Sequence, residues 1–262
     1  MAKGVLYTTQ LQAGLGLVSE TKALLEMWSP GMSVSQLCQV ALDSGRFPNV
    51  TARRLRNIVV ECFAPRYLVS NGAPAQHLKK IVGTVTGSDV AQLMLLFTSR
   101  ANPILNVFIG NVYWGRYAGG YVEVSTEDAR LFVERAIDDG KTAKRWSEST
   151  VRRVSAYLTG CCADYGLLER GLRLSRRILP FRISYPAAAY LAFDLHFAGI
   201  GDNALLTHPD WQLFGLARED VLDELKKLSL KGHLIIQAAG DVVRISWKQP
   251  SMEALCDALS QG

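Results

Sequence analysis

The sequence has 262 residues, of which 48% are hydrophobic and 20% are charged, and its formal net charge is +5. This composition is typical of a globular protein with a substantial hydrophobic core, and it excludes a mostly disordered chain. The longest apolar run, "VAQLMLLF" at 90–97, is far shorter than the roughly 20 residues of a membrane-spanning helix, and the start lacks a secretory signal, so we expect a cytoplasmic protein without membrane contact.

The first two predicted elements are helices. The sequence predicts one helix over residues 10–28, which ends before Pro30, and a second over 33–44, for which Ser33 is the cap. In the second helix the apolar residues follow the helical period of 3.6 residues, so one face is predicted to be buried.

A third predicted helix follows the turn "SGRFPN", with Thr51 as its cap. It lies in a basic block, because residues 46–80 hold seven Lys/Arg and one acid. A helix, a short turn and a basic helix form the outline of a helix-turn-helix. We therefore predict nucleic-acid contacts by the arginines of its first turns, with surface charge or internal salt bridges as the alternatives: Arg53, Arg54 and Arg56.

Four further helices are predicted between residues 75 and 140, over 76–83, 88–99, 103–114 and 126–138. The last begins at Thr126, which acidic residues follow. The glycine-aromatic stretch "YWGRYAGGY" at 113–121 interrupts them and is predicted to form a hinge or a packed corner. Base stacking, as in single-strand binders, is the alternative interpretation.

The stretch "SESTVRRVSAYLTGCCADYGLLERG" at 147–171 predicts a helix that is core on one face and contact surface on the other. Ser147 is its predicted cap, and Gly166 ends it. Arg152 and Arg153 lie off the apolar stripe, which recurs at spacings of three and four residues: Val151, Val154, Leu158, Cys161 and Tyr165.

The element order after this helix is that of a winged helix. "LLER" and "ILPFRIS" at 178–184 are predicted to be short strands around the basic loop "GLRLSRR". Residues 141–182 hold ten Lys/Arg and three acids, a balance that suits a surface facing a polyanion. The predicted DNA contacts of this block are Lys144, Arg145, Arg152, Arg153, Arg173, Arg176 and Arg177.

The clearest hairpin signal lies near the C-terminus. "REDVLDELKKLSLKG" predicts a helix, and "HLIIQ" and "VVRISW" predict two strands joined by the turn "AAGD". Residues 183–262 hold six Lys/Arg against ten acids, so a second winged helix here suits a protein partner or internal packing better than DNA.

These elements predict a mainly α, multi-helix protein with short β-hairpins of winged-helix type in its C-terminal half. We expect a helical domain at 1–140, which contains the helix-turn-helix-like pair, and a winged-helix-like domain at 141–262, which contains the C-terminal hairpin.

No pattern for catalysis or metal binding is present in the sequence. The five cysteines form no Cys-x-x-Cys pair, and the four histidines lack zinc-ligand spacing. No phosphate-binding loop, dinucleotide fingerprint or nucleophile elbow occurs. We therefore expect a protein that is not an enzyme and has no metal or cofactor.

Several stretches together resemble the BrxA family of bacteriophage exclusion (BREX) defence systems. They are "ETKALLEMW", "RY" at 66–67, "WSESTVRRVSAYLTGCCADYGLL" and "ISYPAAAYLAFDLHF". The resemblance implies a small, mostly helical, cytoplasmic DNA-binding protein with a helical region similar to the antitermination factor NusB. Members have also been labelled inner-membrane proteins, which the hydropathy of this chain contradicts.

The resemblance also implies partners, because BREX operons encode an adenine methyltransferase, a large ATPase and a phosphatase-like protein. It supplies no catalytic motif. The resulting prediction is a non-enzymatic accessory protein that binds double-stranded DNA mainly through phosphates. The alternatives are a protein-interaction scaffold that recruits other defence components, and RNA binding of the antitermination-factor type.

Overall fold

The computed structural model describes residues 6–13, 16–171, 174–240 and 242–261. Within these ranges the chain is mainly helical and has two small antiparallel sheets of two strands each, which confirms the predicted fold class. The chain forms two compact units. Unit 1 comprises Met1–Gln76 and Met94–Pro180, and unit 2 comprises His77–Leu93 and Phe181–Gly262.

Unit 1 begins with a 3-10 turn and a series of short helices. The predicted helix over 10–28 is two elements, because Leu17 has a φ of 50°, which a right-handed helix does not contain. The bounds are Gln10–Ala13 for the 3-10 turn, Val18–Met27 for α1, Val34–Asp43 for α2 and Ala52–Asn57 for α3. Helix α3 continues without a break into a π-helical segment, Ile58–Phe63, and then into α4, Ala64–Tyr67.

Side-chain caps start these helices where the sequence predicts them. Ser33 and Gln36 form a capping box at α2, in which the Ser33 amide donates to Gln36 Oε1 at 2.8 Å. At α3, the Thr51 hydroxyl accepts a hydrogen bond from the Arg54 amide. The turn between α2 and α3 therefore presents the arginines at the start of a capped helical run.

The middle of the chain is helical, as predicted. Helices α5, Ala73–Ile81, and α6, Gly87–Ala101, contain two of the three points at which the chain passes between the units, and the third follows Pro180. The stretch "YWGRYAGGY" stays helical to Ala118 and turns at Gly120, whose φ is 72°. The further bounds are Pro103–Phe108 for α7, Ile109–Tyr113 for a second π segment, Trp114–Ala118 for α8, Glu123–Ser125 for β1 and Thr126–Asp138 for α9.

Helix α10, Glu148–Asp164, is the longest helix of the described chain, and its two halves differ in burial. In the first half the predicted stripe is buried and Arg152 and Arg153 are exposed. In the second half every residue from Leu158 to Ala163 is buried. The predicted division into a buried face and an exposed face is therefore confirmed only for the first half, and contact of the exposed face with a partner stays a prediction. Because α10 packs on α9, the predicted domain boundary at residue 140 falls inside unit 1.

Both predicted strands around the basic loop, "LLER" at 167–170 and segment 178–184, are wrong, because the strand of this region lies within the predicted loop. Strand β2 is Ser175–Arg177, and it pairs antiparallel with β1, so that Arg177 lies opposite Glu123. Segment 178–184 contributes only an isolated bridge between Leu168 and Ile178. Pro180 has no amide hydrogen for a strand ladder, and Ser184 already caps the next helix.

Unit 2 contains the predicted C-terminal helix and hairpin. The hairpin pairs residues from Leu234 opposite Trp247 to Ala239 opposite Val242. The amides of Ile245 and Val243 donate to Asp202 Oδ2 at 2.8 Å and Asn203 Oδ1 at 3.1 Å, so side chains satisfy one edge of the sheet. The bounds are Tyr185–Phe197 for α11, Asp202–Leu205 for α12, Pro209–Phe214 for a 3-10 helix, Arg218–Leu230 for α13, Leu234–Ala239 for β3, Val242–Trp247 for β4 and Met252–Gln261 for α14.

The length and hydropathy of the described helices determine whether one of them can cross a bilayer. None of them is by itself long and apolar enough to cross a bilayer. One pair, Gly87–Ala101 and Pro103–Ala118, meets the length and hydropathy requirements together, and it bends by 113° at its break.

Candidate nucleic-acid interface

Every predicted DNA-contact residue belongs to unit 1. This unit holds 20 Lys/Arg against 13 acids, net +7, whereas unit 2 holds 9 against 11, net −2. Of the 17 Lys/Arg in the two basic blocks, 46–80 and 141–182, all but Lys79, Lys80 and Arg182 thus belong to unit 1. A phosphate backbone is attracted by such a concentration of positive charge.

Arg152 and Arg153 are the best-placed members of the set. Both side chains are exposed on the first turns of α10, and the buried Val151 and Val154 on either side fix the face from which they project. Within the described residues, neither arginine has a carboxylate at ion-pair distance. Both guanidinium groups are therefore available to an external anion.

The three arginines of α3 differ in burial and in their neighbours. Arg53 is exposed and has no ion-pair partner in the described ranges. Arg56 lies near Cys38 of α2, where burial raises the pKa of the thiol and the Arg56 charge partly offsets that effect. Arg54 is half-buried in a cleft of about 370 Å³.

The cleft at Arg54 joins the two basic blocks of the sequence. It is lined by the start of α1, by Asp164 at the end of α10 and by Arg170, which sequence reasoning did not select. Arg170 stands in the basic stretch after α10, so its charge alone was the available signal. Arg153 precedes Asp164 by 11 residues, about 16 Å along the helix axis. The rise per base pair is about 3.4 Å, so one duplex has the length to reach both positions.

The residues before α10 are in a less favourable setting. Arg145 Nη1 lies 3.1 Å from Asp138 Oδ1, and both side chains are exposed. Glu134 and Glu148 line the same cleft as Arg145. Lys144 is exposed next to it. The neighbouring carboxylates reduce the attraction of this segment for phosphate.

The arginines of β2 differ in burial and in their contacts with the rest of the protein. Arg176 is half-buried and donates a hydrogen bond to the Glu169 carbonyl at 3.1 Å. It lies near Cys162, whose pKa burial raises strongly while Arg176 opposes the rise. Arg177 is exposed and stands across the ladder from Glu123. Arg173 lies outside the described residues.

Metal binding has no visible centre among the described residues. The structure places no group of three or more His, Cys, Asp or Glu side chains there that could hold a metal ion. Burial raises the pKa of the Cys161 thiol to about 12, which keeps it protonated and unreactive at neutral pH.

A comparison with family models matches the BrxA model to residues 5–194. The chain belongs to the BrxA family. The matched range contains all the predicted contact residues, including α3, α10 and β2. BrxA membership indicates a BREX-associated role in phage defence. The NusB-like region that the resemblance implies stays a prediction.

The BrxA chain also resembles a solved structure, that of an uncharacterized protein from Magnetospirillum magneticum. The match has a TM-score of 0.56 and 14% sequence identity, and it covers 78% of this chain and 97% of that chain. At this identity the likeness concerns the fold alone. No curated protein matches the chain.

Proposed function

We propose that this BrxA-family chain is a non-enzymatic, DNA-binding accessory protein of a BREX system and that it binds duplex DNA through unit 1. The observation that carries the proposal is the pair of exposed arginines without carboxylate partners, Arg152 and Arg153, on a unit with net charge +7. Arg54 shares a cleft with Arg170 and with Asp164 at the end of α10, and Arg53 is exposed beside it in the sequence.

Phosphate contacts dominate the proposed binding. A guanidinium group donates to phosphate oxygens in a bidentate geometry, and such contacts carry no sequence information. We therefore expect weak sequence preference and strong salt dependence. If six phosphates are neutralised, log K falls with log salt at a slope of about −5.

The test is fluorescence anisotropy of the full chain with two unrelated duplexes over a salt series. The double variant Arg152→Gln, Arg153→Gln is expected to weaken binding to both duplexes alike. If each arginine contacts one phosphate, the salt slope becomes less steep by about 1.8.

The matched control removes the same charge from unit 2. Lys226 and Lys227 are exposed on α13 and pair with Asp223 at 2.8 Å and Glu224 at 2.6 Å. The variant Lys226→Gln, Lys227→Gln is expected to bind like the wild type. Equal losses of DNA affinity in the two double variants would show that only the net charge matters. Unchanged DNA affinity in a folded Arg152→Gln, Arg153→Gln variant would show that α10 is not part of the interface.

A scaffold that recruits other BREX proteins is the second candidate, and unit 2 favours it. This unit has a net charge of −2 and exposes Leu230 and Val242, features that suit protein contact better than DNA. A complex with the methyltransferase, ATPase or phosphatase-like protein that survives nuclease treatment would support it. Competition between a matched RNA and the duplex tests the RNA-binding alternative.

A further inference from the structure

Unit 1 contains a second cleft, of about 530 Å³, whose lining includes none of the residues assigned to duplex binding. One wall is a stripe of α9 that includes Leu131, Phe132 and Arg135. The other wall is the π segment and α8, where Asn111 and Gly115 lie one helical turn apart. The volume is in the range of small-molecule sites, and π segments occur frequently at functional sites.

An aromatic ring at the cleft is held in place and remains accessible. The Arg116 guanidinium lies 4.3 Å from the centroid of the Tyr121 ring and forms an ion pair with Asp128. Asp128 in turn accepts hydrogen bonds from the amide and the hydroxyl of Ser125, both at 2.9 Å. Residue Tyr121 is nevertheless 57% exposed, and the Arg116 guanidinium lies over one face of its ring. Such a pre-oriented ring suits stacking of a planar group.

A cation without a carboxylate partner lies in the same cleft. Arg135 is exposed, and no described carboxylate is within ion-pair distance of it. Lys141, at the other end, is 3.8 Å from Asp139, and both side chains are well exposed. The Arg116–Asp128 pair neutralises itself, so Arg135 is the group left to attract an anion.

We propose that this cleft binds a nucleotide, with its base on the Tyr121 ring and its phosphate at Arg135. An exposed aromatic ring, an apolar floor formed by Leu131 and Phe132, and a guanidinium group together match a base with an attached phosphate. The same chemistry is presented by a free mononucleotide and by an unpaired nucleotide of a nucleic acid. The site does not depend on the duplex-binding residues of α3 and α10.

The test is isothermal titration of the full chain with three probes: AMP, a single-stranded dT10 oligonucleotide and inorganic phosphate. Gly115 lines the cleft, and a Cβ atom at this position meets no atom within 4 Å. Gly115→Leu therefore places a larger side chain in the cleft from an unobstructed Cβ position. It is expected to abolish AMP binding and the competition between AMP and dT10, whereas phosphate contacts of dT10 with the α10 arginines remain. Tyr121→Ala is expected to weaken binding by at least about fivefold through lost stacking.

The matched control is Gly110→Leu. Gly110 is in the adjoining π segment, and a Cβ atom there also meets nothing within 4 Å, but the residue does not line the cleft. This variant is expected to bind like the wild type. Thermal unfolding of each variant verifies that the chain is folded.

The probes distinguish the two sources of the nucleotide. AMP binding without dT10 binding assigns the cleft to a free nucleotide, and mutual competition assigns it to an unpaired nucleotide of a strand. Binding of neither probe, unchanged AMP binding in Gly115→Leu, or phosphate affinity equal to that of AMP overturns the proposal. Gly115→Leu is expected to retain duplex binding. The experiment therefore distinguishes a wrong assignment of the nucleotide cleft from a wrong assignment of the α10 interface.

Discussion

Arg53 is placed where a positive charge opposes helix formation. It is the second residue of α3, a helix with no acidic residue in its first turn. The positive end of the helix dipole repels a cation at this position, at a typical cost of about 0.3–1 kcal/mol. A residue that lowers stability while facing solvent is consistent with selection for anion binding.

The variant Arg53→Gln is therefore expected to separate stability from binding. It removes the repulsion at the start of α3, so the melting temperature is expected to stay equal or to rise, while affinity for duplex DNA falls. Thermal unfolding and anisotropy on the same preparation measure both quantities. A lower melting temperature together with unchanged affinity would assign Arg53 a structural role.

Gly16 is constrained by close approach to the end of α10. Its amide donates to Asp164 Oδ2 at 2.9 Å, and an added Cβ atom would lie 2.5 Å from Asp164 Cβ. Gly16→Ala is expected to reduce the free energy of unfolding by about 1–3 kcal/mol, as overpacking does. Gly83→Ala is the control, because a Cβ atom there meets nothing within 4 Å. Urea unfolding of both variants measures the difference, and equal stabilities would contradict the close approach.

At the scale of elements, histidines couple the C-terminal hairpin to pH. His196 stacks on Trp247 of β4, with ring centroids 4.4 Å apart. Burial lowers the pKa of His196 below its ordinary value of 6.5, and Asp202 partly opposes that effect. Burial also lowers the pKa of His233. As pH falls through 6.5, the unfolded chain binds more protons than the folded chain, so stability is lost on acidification.

His196→Phe keeps a ring available for stacking on Trp247 and removes one titrating group. The difference in melting temperature between pH 7.5 and pH 5.5, conditions on either side of the histidine range of about 6.5, is expected to be smaller than in the wild type. An unchanged pH response in His196→Phe would show that this histidine does not contribute.

Most helices and the C-terminal hairpin could be predicted from the sequence, because the residues that determine them lie close together in the chain. The Ser33 and Ser147 caps, the buried stripe of α10 and the β3–β4 hairpin all follow from residues a few positions apart. The pairing of β1 with β2 joins residues about 50 positions apart and has no signature in either three-residue strand. The full burial of Leu158–Ala163 likewise depends on distant segments, which periodicity does not describe.

The candidate site could be predicted only in part, because the sequence shows where cations lie in the chain but not which groups surround them in the fold. Sequence charge selected Arg152 and Arg153, which are exposed and have no described carboxylate partner. It could not show that Asp138 lies beside Arg145 or that the Glu169 carbonyl holds Arg176. Neither could it show that Arg170 shares a cleft with Arg54. These neighbours come from tertiary packing, which decides whether a cation is available or already engaged.

At the scale of the whole molecule, the charge is divided between the two compact units. Unit 1 has net charge +7 and unit 2 has net charge −2, although the overall charge is only +5. A modest total therefore conceals a strongly basic unit. The basic unit is the one expected to respond to salt, because counterion release accompanies phosphate binding.

The burial contrast along α10 also has a kinetic consequence. Amide hydrogens of residues 158–163 lie in a segment buried on all sides, so their exchange with solvent is expected to require global unfolding. Amides near Arg152 lie about one turn from the helix start and are expected to exchange through local fraying. The two arginines thus lie in the half of α10 that is expected to exchange faster, while the fully buried half anchors the helix in the core of unit 1.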